Sequence, residues 1–429
     1  MFHLLVIITS AAILFRPFST CAFSPPPPSI IANSKFASRT LVQSSEDYIS
    51  PFHNRQRQLY PSVVVGADSH RLAASSISIG ADDLPIEINT TNGSSSSISY
   101  ESKRSTKPPF PLVLWRFTRP HTIIGSAIAI PSIFLLAAPT YSSFFTWRSL
   151  ASLLYAAVPS LFMNLYITGL NQITDVEIDK INKPYLPIAK GDLKYSTACV
   201  VVLIALAISL AMSVMSPIFS SPGLQVALWG SFILGTLYSL PPFRMKKHPL
   251  LAAFCIVAVR GTIINAGFYS HAISTAFGAS SAILPQISGV LSCLMNDYKC
   301  ALSSAFFGVF GIVIALMKDV PDAHGDRIFN IRSFTVRLGQ RRVFGTMKNL
   351  LSLLFGAVGV GMIKWSAMAP DLTVILRRGS VALACGVAGW AVNKEAVGVN
   401  AEDSGEVYSY YMFLWKLFYL SYFVLPFAK

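Results

Sequence analysis

From about residue 117 onward the chain alternates long apolar runs with short polar stretches. The runs lie near 120–138, 149–170, 195–215, 223–240, 249–271, 300–317, 344–364, 379–393 and 407–427. Most approach or exceed the roughly 20 residues that an α-helix needs to cross a bilayer. None shows the every-second-residue alternation of a membrane barrel strand. Because lipid offers no partner to a backbone N–H or C=O, helices and closed barrels are the only spanning solutions. The pattern therefore predicts an all-α integral membrane protein of about nine transmembrane helices, with 379–393 the shortest run.

The N-terminal part does not share this pattern. Residues 4–14 form an apolar core of signal-peptide length, followed by the small-residue cleavage site Thr20-Cys21-Ala22. Phe23 comes next, then a Pro-rich and Ser-rich stretch carrying Lys35, Arg39, Arg55 and Arg57. The sequence predicts a signal peptide over 1–22, a disordered, transit-peptide-like leader over 23–107, and a membrane domain over 108–429. A signal peptide running into a Phe-initiated, Ser-rich leader resembles the bipartite presequence of algae with complex plastids. That resemblance implies a multi-pass plastid membrane protein; ordinary insertion through the secretory pathway is the alternative.

Composition agrees with the runs. The 429 residues are 53% hydrophobic and 13% charged, with mean hydropathy +0.54, where soluble domains carry roughly 25% charge. The formal net charge of +14 does not point to nucleic acid, because basic nucleic-acid binders lack repeated spanning runs. It reads instead as loop charge that orients the spans. Lys180, Lys183, Lys190 and Lys194 follow the second run, and Arg244, Lys246 and Lys247 the fourth. Lys318, Arg327, Arg332, Arg337, Arg341 and Arg342 follow the sixth, so alternate loops are basic and share one side. Arg377 and Arg378 fall on the other side. The six cysteines are scattered without a CxxC pair, which fits buried small apolar groups better than disulfides or zinc.

Two acidic clusters sit at the ends of the second and sixth runs: NQITDVEID at 171–179 and KDVPDAHGD at 318–326. Four crossings separate them, an even number, so both emerge on one face. Asn171, Asp175 and Asp179 recur every four residues, a spacing that stacks them on one face if the second helix continues through them. Asp322 and Asp326 repeat the step and Asp319 precedes them, with Pro321 and Gly325 set to bend or loosen the helix. These are hard oxygen ligands, suited to Mg²⁺ that shares phosphate oxygens. Lys183, Arg244, Lys246, Lys247, Arg332 and Arg337 lie near them, as do Arg116 and Arg119 before the first run. A leaving diphosphate needs such donors as its charge grows. Arg260 stands apart, mid-span with Asn265 little more than one turn on, and an intramembrane Arg marks a functional candidate. His121 and His324 lack a His partner at metal spacing and are read as secondary polar contacts.

These residues resemble the UbiA superfamily of intramembrane aromatic prenyltransferases. The first cluster with its continuation KINKPYLP (180–187), the second cluster, and the YSLPP element at 238–242 carry the resemblance. The stretches LWRFTRPHTIIG (114–125) and IFNIRSFTVRLGQRRVF (328–344) look like the plastid homogentisate phytyltransferase branch. The resemblance spans 112–429. It implies nine helices around a central cavity, capped by both Asp-rich motifs with Mg²⁺ between them. Asn171, Asp175 and Asp179 match its first metal motif, and Asp322 and Asp326 its second, with Asp319 preceding. Asp175, Asp179, Asp322 and Asp326 are then the catalytic carboxylates. Lys183, Tyr238 and Arg244 fall at diphosphate contacts, with Arg119 counted among them, and Arg260 is assigned to the carboxyl of an aromatic acid.

The resemblance implies phytyl diphosphate and homogentisate as partners, a site within the lipid bilayer, no nucleic acid, and decarboxylating phytyl transfer in tocopherol synthesis. A solanesyl or geranylgeranyl donor, or chlorophyllide as acceptor, are its rivals. An ion-coupled transporter is the rival of another class, disfavoured by the lack of an internal repeat and by carboxylates at helix ends rather than the midplane. The 272–298 connection is longer than the family norm and lies on the face away from the motifs.

Overall fold

The computed structural model describes residues 108–278, 287–369 and 371–429. The signal-peptide and leader readings lie outside these residues. Among the described residues there are helices and no strands. The long ones are α1 (Pro120–Ala137), α2 (Trp147–Thr174), α3 (Tyr195–Met215), α4 (Pro222–Ser239), α5 (Pro249–Ala276), α6 (Tyr298–Asp319), α7 (Gln340–Ala367), α8 (Leu372–Glu395) and α9 (Ser404–Val424).

Eight of these are long and apolar enough to cross a membrane. The exception, α4, is as long as α1, but Gln225, Ser231, Thr236 and Ser239 lower its hydropathy. Five of the long helices start on a side-chain cap: Thr146, Ser221, Asp297, Asp371 and Asp403 each accept a backbone N–H from the first turn. Such caps satisfy donors that no helix can satisfy itself.

Three expectations change. The eighth run is not short: α8 begins at Leu372, so Arg377 and Arg378 belong to the helix rather than to a loop. Both are anchored there, Arg377 donating to the Lys429 carbonyl at 3.1 Å and Arg378 to the Trp365 carbonyl at 3.0 Å. The 272–298 connection is partly helical, with Ala272–Ala276 finishing α5 and Ile287–Asn296 forming a helix of its own. And the helices do not share the cavity equally. Its lining comes from α1, α2, α4, α5, α6 and α9, while α3 packs outside α2, and α7 pairs mainly with α8.

Lipid gives no hydrophobic drive between helices, so close packing holds them together. Aromatic rings lock α6, α7 and α9: Phe307 stacks on Tyr422 at 3.6 Å, with Phe310, Phe355 and Phe418 meeting edge to face around them. Small residues let α5 approach its neighbours. A methyl group at Gly261 would lie 2.8 Å from the Gly308 Cα, and one at Gly223 would lie 2.5 Å from the Gly267 carbonyl oxygen. Helix α5 is also locally wide, with π-helical turns at Val257–Ile263 and Ala272–Ala276. The Asn265 amide serves the loosened carbonyls, donating to Arg260 at 2.5 Å and Gly261 at 3.2 Å. Such bulges recur at functional sites, and this one presents Arg260 to the cavity.

Candidate active site

Helix α2 does not run through the first motif. It ends at Thr174, Asp175 adopts a non-helical φ of −118°, and a short helix restarts over Val176–Asn182. The break has a physical cause. The Thr174 carbonyl accepts from Arg244 at 3.2 Å, and the Asp175 carboxylate accepts from Arg244 at 2.8 Å and from Lys246. The expected stacking of three donors on one continuous helix is thus replaced by a kink that turns Asp175 toward the loop after α4. In the second motif α6 ends at Asp319. Pro321 cannot donate a helical hydrogen bond, and Asp322 opens the short helix Ala323–Ile328.

The two motifs meet. Lys183, just after the first, is ion-paired with Asp322 of the second, and the Gly325 N–H donates to Asn182 Oδ1 at 3.1 Å. Arg119 lies 3.9 Å from Asp179, Lys318 lies 3.5 Å from Asp319, and Asn171 donates to Asp175 at 3.1 Å. The arrangement surrounds a cavity of about 60 Å³ lined by Arg119, Asn171, Asp175, Asp179, Lys183, Tyr238, Lys246, Lys318, Asp319, Asp322 and Asp326. Lys246, one of the cations noted beside the clusters, and Lys318, which opens the second motif, both enter it, although the sequence assigned neither to the diphosphate by position. Their signal in sequence was only proximity, two residues past Arg244 and one before Asp319. Arg244 grips Asp175 from behind and is not part of the lining.

Two of the cations sit on strained backbone. Arg119 has φ +52° and Arg244 φ +35°, left-handed positions that cost a non-glycine residue about 1 kcal/mol or more. Each aims its guanidinium at a motif carboxylate. Strain of this kind gathers at functional sites.

The carboxylates are not equivalent. Burial opposes ionisation of Asp175, but Lys246 and Arg244 outweigh it and hold the carboxyl below its usual range. Asp179 is pushed up to about 6 by burial and by Asp175 and Asp322, against the pull of Arg119 and Lys183. Asp326 is pushed up to about 7 by burial, Asp319 and Asp322. Lys246 is lowered to about 8, burial and the nearby Arg244 and Lys318 outweighing Asp175.

The residues fit a hard divalent cation shared with a polyanion. Asp179 Oδ2 and Arg119 Nε are buried without hydrogen-bond partners, an acceptor and a donor beside one cavity. Among the described residues no three His, Cys, Asp or Glu side chains close on a point as a complete metal cage. Mg²⁺ does not need one, since it takes one or two carboxylates and fills its shell with water and phosphate. Asp175 and Asp322 would offer carboxylate oxygens to such a metal, and Lys183 and Lys246 stand beside them facing the same cavity.

Beneath the mouth, and sharing Arg119, Tyr238 and Lys318 with it, lies a larger chamber of about 270 Å³. Its lining includes His121, Arg260, Tyr411 and Trp415, and Ile130, Met163, Leu228, Ile264 and Phe268 make part of it apolar. Arg260 is therefore not at the mouth. Its guanidinium lies 5.2 Å from the Trp415 ring and 5.4 Å from the Phe418 ring, a cation–π pairing in place of an acidic partner.

A family profile described as the UbiA prenyltransferase family matches residues 116–417. Homogentisate phytyltransferase 1, chloroplastic, of Arabidopsis thaliana is 39% identical over 349 residues, covering 80% of this chain and 81% of that protein. The homogentisate geranylgeranyltransferase of Hordeum vulgare is 36% identical over 317 residues, covering 73% of this chain and 72% of its own. Among solved structures, a UbiA homologue from Archaeoglobus fulgidus bound to DMAPP and Mg²⁺ superposes with TM-score 0.48 and 15% identity, over 73% of this chain and 98% of that one.

Proposed function

The chain belongs to the UbiA prenyltransferase family, and on that premise we propose that it is a homogentisate phytyltransferase of a plastid membrane. It is a prenyl-transferring enzyme, and relatives named for homogentisate phytyl transfer match 80% and 73% of its length. The observation that supports the reading most is the ion pair of Lys183 with Asp322, which ties the two acidic motifs together across 139 residues. The N-terminal leader and the chloroplastic names of the relatives support the plastid assignment.

The donor diphosphate belongs at the mouth, among Arg119, Lys183, Tyr238 and Lys246, with Arg244 orienting Asp175 behind them. Asp175, Asp179, Asp322 and Asp326 would hold Mg²⁺, with Asn171 and Asp319 beside them. Bound there, the metal supplies charge neutralisation for the leaving diphosphate. As the allylic carbon–oxygen bond breaks, its electron pair goes to the diphosphate, and fixed cations meet the growing negative charge without reorganising. The phytyl tail lies along the apolar wall of the chamber and into lipid. Homogentisate lies under the mouth with its carboxylate on Arg260, and its electron-rich ring attacks the freed allylic carbon. Loss of the acetate carboxyl as CO₂ gives the methyl-phytyl-benzoquinol.

The test is a donor panel. Membranes holding the full chain, given labelled homogentisate and Mg²⁺, are expected to use phytyl diphosphate with a kcat/KM above those for geranylgeranyl and solanesyl diphosphates. A preference for another donor moves the assignment within the family; no product with any donor ends it.

The raised carboxyls give a second expectation. Asp179 near 6 and Asp326 near 7 hold protons at mildly acidic pH, and a protonated carboxyl does not ligate metal. The Mg²⁺ concentration for half-maximal rate should rise by about tenfold between pH 8 and pH 6, with the rate at saturating metal changing less. An Mg²⁺ requirement independent of pH over that interval would contradict the assignment of these two groups.

A further inference from the structure

Decarboxylating prenylation sets a proton demand of its own. Forming a carbon–carbon bond at a ring carbon releases the hydrogen of that carbon as a proton. Loss of CO₂ from the acetate side chain leaves an electron pair on the methylene, which takes up one proton to become methyl. The two requirements cancel. The diphosphate leaves with the electrons of its own bond, so a single group within reach of both carbons can serve the whole turnover.

The chamber restricts what that group can be. Among the described residues no Asp or Glu lines it. Arg119 and Arg260 have no lone pair free to accept a proton. Lys318 is paired with Asp319 at 3.5 Å, Tyr238 is a phenol shared with the mouth, and the Cys255 thiol points at the Met245 sulfur at 3.4 Å. Tyr411 and Tyr422 offer phenols, which donate rather than accept near neutral pH. Among the described lining residues, the imidazole of His121 is the nitrogen base that remains.

His121 is held for such a role. It follows Pro120 in the first turn of α1, and its carbonyl accepts the Tyr419 hydroxyl at 2.7 Å. Its ring lies 5.2 Å from Trp415 and 6.3 Å from Tyr411, centroid to centroid. The Arg260 guanidinium lies 5.2 Å from that same Trp415 ring. Imidazole and guanidinium therefore flank one indole. A carboxylate anchor and a proton-accepting ring thus share one neighbour, Trp415, in the wall of one chamber.

We propose that His121 is the proton carrier of the reaction, linking its two halves. One imidazole nitrogen takes the proton of the newly prenylated ring carbon as aromaticity returns. The imidazolium then gives that proton to the methylene carbon as the bond to the carboxyl breaks and CO₂ departs. The residue ends each turnover neutral, as it began. This rests on homogentisate being the acceptor, and the experiment separates the two readings.

Homogentisate deuterated on the ring is supplied with phytyl diphosphate and Mg²⁺ to membranes holding the full chain in ordinary water, and the product is analysed by mass spectrometry. Wild-type product is expected to carry ring-derived deuterium in its new methyl group. His121→Gln is expected to lower kcat about 10²-fold, the scale of general acid–base assistance, with KM for both substrates nearly unchanged and no deuterium in the methyl. A wild-type methyl derived wholly from water would overturn the relay while leaving the enzyme assignment standing. So would His121→Gln turning over within about twofold of wild type. Absence of prenylated product from wild type would remove the homogentisate reading and this inference together.

Discussion

Replacing Asp175 or Asp322 by Ala is expected to lower phytyl transfer by about 10³-fold or more while the protein still inserts and folds. Each carboxylate has two duties. Asp322 holds Lys183, and Asp175 holds Arg244 and Lys246, so both set where the cations point before substrate arrives. Both are also candidate metal ligands, so their loss removes charge stabilisation of the leaving diphosphate, for which single-group deletions cost about 10²–10³-fold. Losing cation alignment adds to that. The mouth lies at helix ends, and the nine long helices pack without it, so the thermal midpoint should move far less than the rate. Initial rates at matched protein levels, beside thermal melts of the purified chain, make the comparison. A variant within tenfold of wild type would mean that these carboxylates serve only as solvated charge.

The second large effect is structural. Gly223→Ala should lower the thermal midpoint by about 5 °C or more and reduce activity with it. The added methyl would sit 2.5 Å from the Gly267 carbonyl oxygen and 2.6 Å from the His271 backbone nitrogen. These are backbone atoms, so no rotamer change relieves the clash and α4 must move off α5. Overpacking of this kind costs roughly 1–3 kcal/mol and sometimes more. Nearby, the Ser221 hydroxyl caps α4 through Leu224 and bonds His271 Nδ1 at 2.7 Å, a contact that the displacement would stretch. Because α4 carries Tyr238 and α5 carries Arg260, the chamber widens as the helices part. Gly356→Ala, where an added methyl meets nothing within 4 Å, is the matching control. Equal melting of the two variants would contradict the claim that α4 and α5 touch backbone to backbone.

Much of this architecture was legible in the sequence because membrane physics leaves few options. Apolar runs located the nine long helices of the described residues, the eighth from a run shorter than its helix, and counting crossings put residues 171–179 and 318–326 on one face. What stayed hidden depends on contacts between distant residues. The break at Asp175 follows from Arg244, 69 residues away, taking the carbonyl and carboxylate there, and the spacing of the motif by itself suggested an unbroken helix. The entry of Lys246 into the mouth follows from the shape of the loop after α4, and that of Lys318 from where α6 ends, neither of which charge counting resolves. The π turns of α5 leave no mark in hydropathy, yet they decide where Arg260 points. His121, read from sequence as a minor polar contact, gains its interest only from sharing the Trp415 ring with Arg260. The outer position of α7 and α8 was equally invisible, since a helix facing lipid and one facing its neighbours are both apolar.

The central claim is that the two acidic motifs form one mouth, and a cross-link tests it most directly. Cβ built at Gly325 lies 2.6 Å from Asn182 Cγ, so cysteines at these two positions fall within the reach of a disulfide. In membranes holding the Asn182→Cys/Gly325→Cys chain, mild oxidation should yield a disulfide-linked peptide pair joining the two motifs, absent from either single variant. Failure of the double variant to cross-link under conditions that oxidise a control pair would place the motifs apart and contradict the account.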